Sequence, residues 1–307
     1  MLCSEVLKEF LKEKEVNGVT NLTLIYYNSH IKKFINYVKN CDIKQITYST
    51  YQDYIIYCKN KTAEGSKSCR NVKLASRTIK TYASAVRTFL QYCYDFNFID
   101  ENIASKITMP RYQKKVITIL NDEELTKIIR SFDVTTFVGV RDLFIFSIML
   151  DCGLRLSEVA KLRYKDFDFY NGIIKINGKG QKQRYVPFSD ILKKIFDTYV
   201  DFCKSISNRY LTDSFFRTVD DKDITNNTIC LIFKRISKKL NISVHPHLVR
   251  HTFATNFLLN GGDIENLRII LGHTTFYMTE QYLHFANTLH IKNQTKYSPL
   301  NKIKDQV

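Results

Sequence analysis

The chain has 307 residues, 44% of them hydrophobic, with 19 tyrosines and 21 phenylalanines; that supports two ordinary domain cores and excludes an intrinsically disordered protein. Its formal charge is +16, with 17 basic and 10 acidic residues before Tyr112 (+7) and 29 and 20 from there on (+9). Positive charge in both halves points to a polyanion held along the whole molecule, and nucleic acid fits better than membrane because no uncharged apolar run approaches ~20 residues.

The first stretch, "MLCSEVLKEFLKEKEV", carries acids throughout and lacks the apolar core of a signal peptide. From there to about Ser105, helix follows helix. "NLTLIYYNSHIKKFINYVKN" is amphipathic with Lys32 and Lys33 on the polar face. In "SRTIKTYASAVRTFLQYCYDF", Ile79, Tyr82, Ala83, Val86, Phe89, Leu90 and Cys93 recur at helical spacing, with Ser76 as the expected N-cap. A polar basic loop, "CKNKTAEGSKSCRNVKLAS", separates these helices. "ITMPRYQKKVITIL" has the composition of an interdomain linker. "NDEELTKIIRSF" opens a new helix with an Asn cap and acids in its first turn, "RDLFIFSIMLDCG" predicts a buried helix stopped at Gly153, and "SEVAKL" starts another, capped by Ser157. "GIIKIN" and "RYVPF" are strand-like runs around a "GKGQKQ" hairpin tip; from Ser189 to about Asn287 the helical pattern returns. Eight cysteines without a CxxC pair read as reduced, mostly buried thiols of a cytosolic protein.

Chemistry-bearing residues concentrate near the C-terminus, in "HPHLVRHTFATNFLLNGGDIENLRIILGHTTFYMTEQYLHF". Arg155 and Arg250 can each grip a phosphate through a forked guanidinium. His247, three residues before Arg250, shares its helix face. Lys179 on the hairpin offers a cation or proton donor, with Lys182 a nearby substitute. A tyrosine phenol attacks phosphorus when its proton is removed and the phosphate is held in line; Tyr277 and Tyr282 both qualify. Together these parts describe phosphodiester transesterification through a phosphotyrosine, with guanidinium and imidazole supplying the charge stabilisation otherwise given by Mg²⁺. Each residue also has a plainer reading. Arg155 could cap a helix or pair with Glu158, His251 reads as a structural histidine, and Tyr277 as a packing or DNA-facing residue. His245, His247 and His251 lack the cysteine or carboxylate that would complete a metal site.

"CGLRLSEVAKL", "GKGQKQRYVPF", "HPHLVRHTFAT" and "LGHTTFYMTEQYLH" resemble, in order and spacing, the four boxes of the tyrosine site-specific recombinases. The resemblance implies that Arg155 and Arg250 clamp the phosphate, that Lys179 is the acid toward the 5′ leaving oxygen, and that His247 and His273 hydrogen-bond the phosphate and assist proton transfer. It makes Tyr282, nine residues after His273, the nucleophile, and Glu158 an acidic support. His245, Arg268 and "FYMTEQY" depart from the family's usual residues without removing a catalytic group.

The expected architecture is mainly α. Residues 1–108 form a helical, SAM-like core-binding domain and 109–120 a linker. Residues 121–307 form a mostly helical α/β catalytic domain with a small antiparallel sheet and a tail that docks on a neighbouring protomer. The resemblance further implies a C-shaped clamp on double-stranded DNA with inverted-repeat core sites. A homotetramer of two dimers would exchange strands in pairs, with an accessory DNA-bending or directionality factor as a further partner. No cofactor, metal, ATP or membrane enters, and the location is cytoplasmic, at the nucleoid. A core-binding domain beginning near residue 1 leaves no room for an arm-site domain. The reading is therefore a compact integrase or invertase of a mobile element, with Xer-type dimer resolution as the alternative. A type IB topoisomerase and a catalytically silent DNA-binding regulator are the rivals.

Overall fold

A computed structural model of the chain describes residues 1–62, 73–111, 118–178, 183–206 and 214–293. It divides into two compact units, Met1–Lys115 and Val116–Val307.

The first unit comprises α1 (Cys3–Val16), α2 (Asn21–Tyr37), α3 (Tyr48–Asn60), α4 (Ser76–Asp95) and a single turn, α5 (Ile103–Lys106). The seven apolar positions read from the spacing of α4 are all buried. They close on Phe10 of α1, Phe34 of α2 and Tyr54 of α3. Phe10 meets Phe89 and Tyr92 edge-on at 5.8 and 5.2 Å, and burying each such ring stabilises the unit by about 1.5–3 kcal/mol. The expected cap at Ser76 is displaced by one position: Ala75 is the N-cap and supplies no side-chain bond, so Ser76 is the first helical residue. Lys32 and Lys33 are exposed on α2, and Lys33 Nζ donates to Tyr82 Oη at 2.8 Å. Most of the basic loop before α4, residues 63–72, lies outside the described residues.

The second unit opens with α6 (Asp122–Arg130), where Asn121 Oδ1 accepts from the Glu124 amide (2.8 Å) and the Glu124 carboxylate accepts from the Asn121 amide (2.9 Å). α7 (Phe137–Cys152) runs through the core, as the apolar run predicts. Its Phe144 ring is ringed by Phe196, Tyr199, Phe215 and Phe216 at 5.4–5.8 Å. Gly153 ends α7 at φ 61°, in the left-handed region; a Cβ there would sit 2.2 Å from Phe253 Cδ1, so glycine is required twice over. α8 (Leu156–Val159) is one turn beginning before Ser157, and its N-cap position is Arg155, not the serine.

Strands β1 (Phe167–Asp168), β2 (Ile173–Asn177) and β3 (Gln183–Pro187) form a three-stranded antiparallel sheet in that order. Register places Ile174 opposite Val186 and Ile176 opposite Arg184. Alternation of side chains therefore turns Arg184 toward the same buried face as Ile174, Ile176 and Val186. Helices α9 (Asp190–Ile206), α10 (Asn226–Leu240), α11 (Pro246–Leu259), α12 (Ile264–Leu271) and α13 (Tyr277–Asn293) complete the unit. A separate small core, Ala254, Leu258, Leu267, Leu271, Tyr282 and Ala286, packs α11, α12 and α13 together. The mainly helical architecture with a small antiparallel sheet is the one the sequence predicts. The described cysteines are free thiols, with Cys3, Cys58, Cys93 and Cys152 buried. No described helix is long and apolar enough to cross a membrane.

Candidate active site

Three arginines converge on the C-terminal end of α12. The last carbonyls of a helix lack intrahelical donors and carry its negative partial charge, so they attract cations. Here three consecutive ones are taken by guanidinium groups: Ile270 accepts from Arg184 Nε at 2.6 Å, Leu271 from Arg250 Nη2 at 2.7 Å, and Gly272 from Arg155 Nη2 at 3.3 Å. Gly272 caps α12 at φ 62°, and a Cβ there would stand 3.1 Å from Arg184 Cδ. The backbone at this end of α12 thus needs glycine both for its turn and for the close passage of Arg184.

One buried carboxylate ties the cluster together. Glu158 accepts from Arg155 Nη1 (3.0 Å), from the Arg155 amide (2.8 Å) and from both terminal nitrogens of Arg184 (2.9 and 2.8 Å). Burial alone would raise its pKa; the hydrogen bonds and charge of Arg184, then those of Arg155, outweigh burial and hold the carboxyl below its ordinary value. Arg250, 5% exposed, also donates Nη1 to the Gly153 carbonyl at 2.6 Å, so the corner that ends α7 is anchored to α11. Burial, followed by the neighbouring Arg155, lowers the Arg250 guanidinium to about 10, which leaves it a cation at neutral pH. Glu158 pairs with two of the three guanidinium groups, Arg250 is held by backbone carbonyls instead, and Arg155, its side chain 33% exposed, is the one open to solvent. Such an arrangement has positive charge to spare and the chemistry to accept an anion.

His273 lies in the connection between α12 and α13, which begins at Tyr277. Its Nε2 lies 3.2 Å from Arg250 Nη2 and its Nδ1 2.9 Å from Thr279 Oγ1. Arginine can only donate, so Nε2 accepts and the ring proton resides on Nδ1, directed at Thr279. Burial, then the charges of Arg250 and Arg155, push His273 down to about 4, in keeping with a neutral ring. Tyr282, 2% exposed, stacks parallel to His273 with centroids 6.4 Å apart. Its hydroxyl lies 2.8 Å from His251 Nδ1. Burial raises the Tyr282 pKa, with Arg250 and Arg155 pulling against it.

A family model described as "Phage integrase family" matches residues 118–288, more than half of the chain, and "Phage integrase SAM-like domain" matches residues 3–109. The chain belongs to the phage integrase family. Membership makes it a tyrosine recombinase, an enzyme that breaks and rejoins DNA strands. Among relatives of this recombinase, Tyrosine recombinase XerC of Oceanobacillus iheyensis is 30% identical over 85% of either chain. Tyrosine recombinase XerD of Staphylococcus haemolyticus is 26% identical over 92% of this chain and 95% of its own. Among solved structures, the Tn1549 transposon integrase in complex with circular intermediate DNA superposes with a TM-score of 0.74 at 19% identity, covering 92% of this chain and 95% of that one. XerH bound to a palindromic difH substrate gives 0.70 at 20% identity over 95% and 84%. These two share the fold.

In this recombinase, Arg155, Arg250, His273 and Tyr282, far apart in sequence, lie within one connected network. His247 is exposed on the first turn of α11, one helical turn before Arg250 and His251. Lys179 lies outside the described residues, as do Lys182 and the hairpin tip; the flanking strands end at Asn177 and resume at Gln183. His245 caps α11, its Nδ1 accepting from the Leu248 amide at 3.1 Å, and Arg268 pairs with Glu265 while donating to the His273 carbonyl at 3.1 Å. Both departures from the family's usual residues therefore have local structural jobs. Among the described residues, no group of three His, Cys, Asp or Glu is placed to hold a metal ion.

Two further side chains at the site, Arg184 and Thr279, were not singled out from the sequence, and His251, read there as structural, pairs with Tyr282. Arg184 was signalled only by strand alternation, two residues before Val186. His251 follows His247 by one helical turn and so shares its face. Thr279 had no local signal; only the fold of the His273 segment brings it to the ring.

Proposed function

We propose that this recombinase acts at specific DNA sites, cleaving and rejoining strands by transesterification through a 3′-phosphotyrosine on Tyr282. The carrying observation is the placement of Tyr282 beside an arginine cluster with one carboxylate for three guanidiniums. In this reading Arg155 and Arg250 hold the scissile phosphate and stabilise charge on its non-bridging oxygens. His273 and His247 contact the phosphate, and Lys179 protonates the 5′ oxygen. Phosphate entry exchanges protein acceptors for phosphate oxygens on arginines already oriented by α12, so little reorganisation is required at the reacting centre. Residues 1–108 serve as the core-binding domain, 109–120 as the linker and 121–307 as the catalytic domain with its docking tail. The substrate is double-stranded DNA with inverted-repeat core sites, held by a cytoplasmic, nucleoid-associated homotetramer with an accessory bending or directionality factor. DNA-bound neighbours such as XerH on difH support the choice of partner.

For the biological outcome we infer integration and excision, or inversion, for a mobile element. Xer-type dimer resolution is the second reading, supported by XerC and XerD relatives that align over 85–98% of their own lengths. The decisive experiment incubates the purified chain with a random-sequence library of nicked duplexes and recovers covalent adducts. Wild type traps on a recurrent sequence, and Tyr282→Phe yields no adduct while still binding. Equal trapping by Tyr282→Phe removes the assignment. Relaxation of supercoiled plasmid without exchange between two copies of the recovered site indicates topoisomerase chemistry instead. Recovered sites at the ends of the DNA segment carrying the gene support a mobile element, and a single remote chromosomal site supports dimer resolution.

A further inference from the structure

The geometry points to His251 as a catalytic residue of this recombinase, the group that takes the proton from the Tyr282 hydroxyl as that oxygen attacks phosphorus. The inference rests on Tyr282 being the nucleophile. Among the described residues, His251 is the hydrogen-bond partner of this hydroxyl, Nδ1 to Oη at 2.8 Å with the rings 5.5 Å apart. Both ring nitrogens of His273 are engaged elsewhere, one facing Arg250 and the other Thr279, so neither is free to accept from the stacked tyrosine. α11 carries His251 next to Arg250, and the small core that Ala254 and Leu258 form with Tyr282 and Ala286 fixes α13 against it. The same helix therefore presents a phosphate-binding cation and a base to adjacent atoms of one reaction.

The step balances without a further reagent. In the tautomer protonated on Nε2, the Nδ1 lone pair faces the phenol. As the Tyr282 Oη–phosphorus bond forms, the hydroxyl proton passes to Nδ1, the bond from phosphorus to the 5′ oxygen breaks, and that oxygen takes a proton from a separate acid. On rejoining, the 5′ hydroxyl attacks and gives its proton back to the conjugate base of that acid, the phosphotyrosine bond breaks, and the imidazolium returns its proton to Oη. Burial, then the charges of His247, His245 and Arg250, push His251 down to about 4, while burial pushes the tyrosine up. A free phenolate is therefore not formed in advance. The proton leaves during bond formation, when the tyrosine oxygen becomes strongly acidic and a weak base suffices.

The test uses the full chain and the nicked duplex recovered from covalent capture, made with either oxygen or sulfur at the 5′ bridging position. His251→Asn places an amide near Nδ1, keeping a hydrogen bond to the tyrosine but unable to take its proton. The expected result is wild-type binding in a gel shift with cleavage slowed about 10²–10⁴-fold on both duplexes. A sulfur leaving group needs no acid, so it restores a variant lacking the acid and leaves one lacking the base slow. Cleavage by His251→Asn at the wild-type rate, or its restoration by sulfur, overturns the inference while leaving Tyr282 in place. Absence of any wild-type adduct overturns the proposed reaction and this inference together.

Discussion

Glu158 shows how one side chain can decide the competence of the others. Strand alternation drives Arg184 inward, and the α7–α8 corner brings Arg155 beside it; two cations so close need a shared anion. Glu158→Gln leaves both arginines around a neutral amide, and we expect a loss of about 3 kcal/mol in urea unfolding. The paired change Glu158→Gln with Arg184→Met is expected to cost less than the sum of the singles, since the buried cation goes with its partner. Arg250→Lys keeps the charge but cannot span the Gly153 and Leu271 carbonyls together. One orphaned carbonyl predicts a loss of about 1–3 kcal/mol in stability, and adduct formation should fall much further than DNA binding.

At the scale of elements, the site is assembled by helix ends. α7 stops at Gly153 to make the corner that carries Arg155, and α12 stops at Gly272 with its carbonyls facing three arginines. Both glycines adopt left-handed backbone and both would push a Cβ into a neighbour. Gly18 shares that backbone, at φ 72°, but has nothing within 4 Å of a Cβ position. Gly18→Ala should therefore cost about 1 kcal/mol, a purely conformational penalty. Gly153→Ala, which meets Phe253, should cost at least about 2 kcal/mol more in thermal unfolding and should also depress cleavage. Equal penalties at the two positions would mean that the corner relaxes freely.

At the scale of the whole molecule, charge and protonation set the working conditions. Excess positive charge in both halves predicts DNA binding that weakens by roughly 10³–10⁵ between 50 and 200 mM salt, if 6–10 phosphates are contacted, as read by gel shift. His251 and His273 are both held near 4, below the ordinary 6.5, so the fold prefers them neutral. Between those values the unfolded chain binds more protons than the folded one. The contribution to stability is thus fully present above about pH 6.5 and is lost as pH falls toward 4. Glu158, with its lowered pKa, acts in the same direction at the acid end. The urea midpoint should fall steadily from pH 6.5 to 4, and His273→Asn should flatten that fall.

Much of this recombinase is local enough to be legible in its residues. The helical spacing of α4, the Asn121 cap, the stop at Gly153 and the strand alternation around the hairpin follow from neighbours within a few positions. The four quoted boxes name Arg155, Arg250, His273 and Tyr282 without coordinates. What the fold alone decided is which atoms meet across long separations. Arg155 and Gly272, 117 residues apart, share a hydrogen bond, and so do His251 and Tyr282, 31 apart. Packing of α13 on α11 also made a histidine read as structural the hydrogen-bond partner of the Tyr282 hydroxyl. A side chain's type, spacing and cap are written in its own stretch of sequence; its desolvation and its distant partners exist only once helix ends and strand faces have packed.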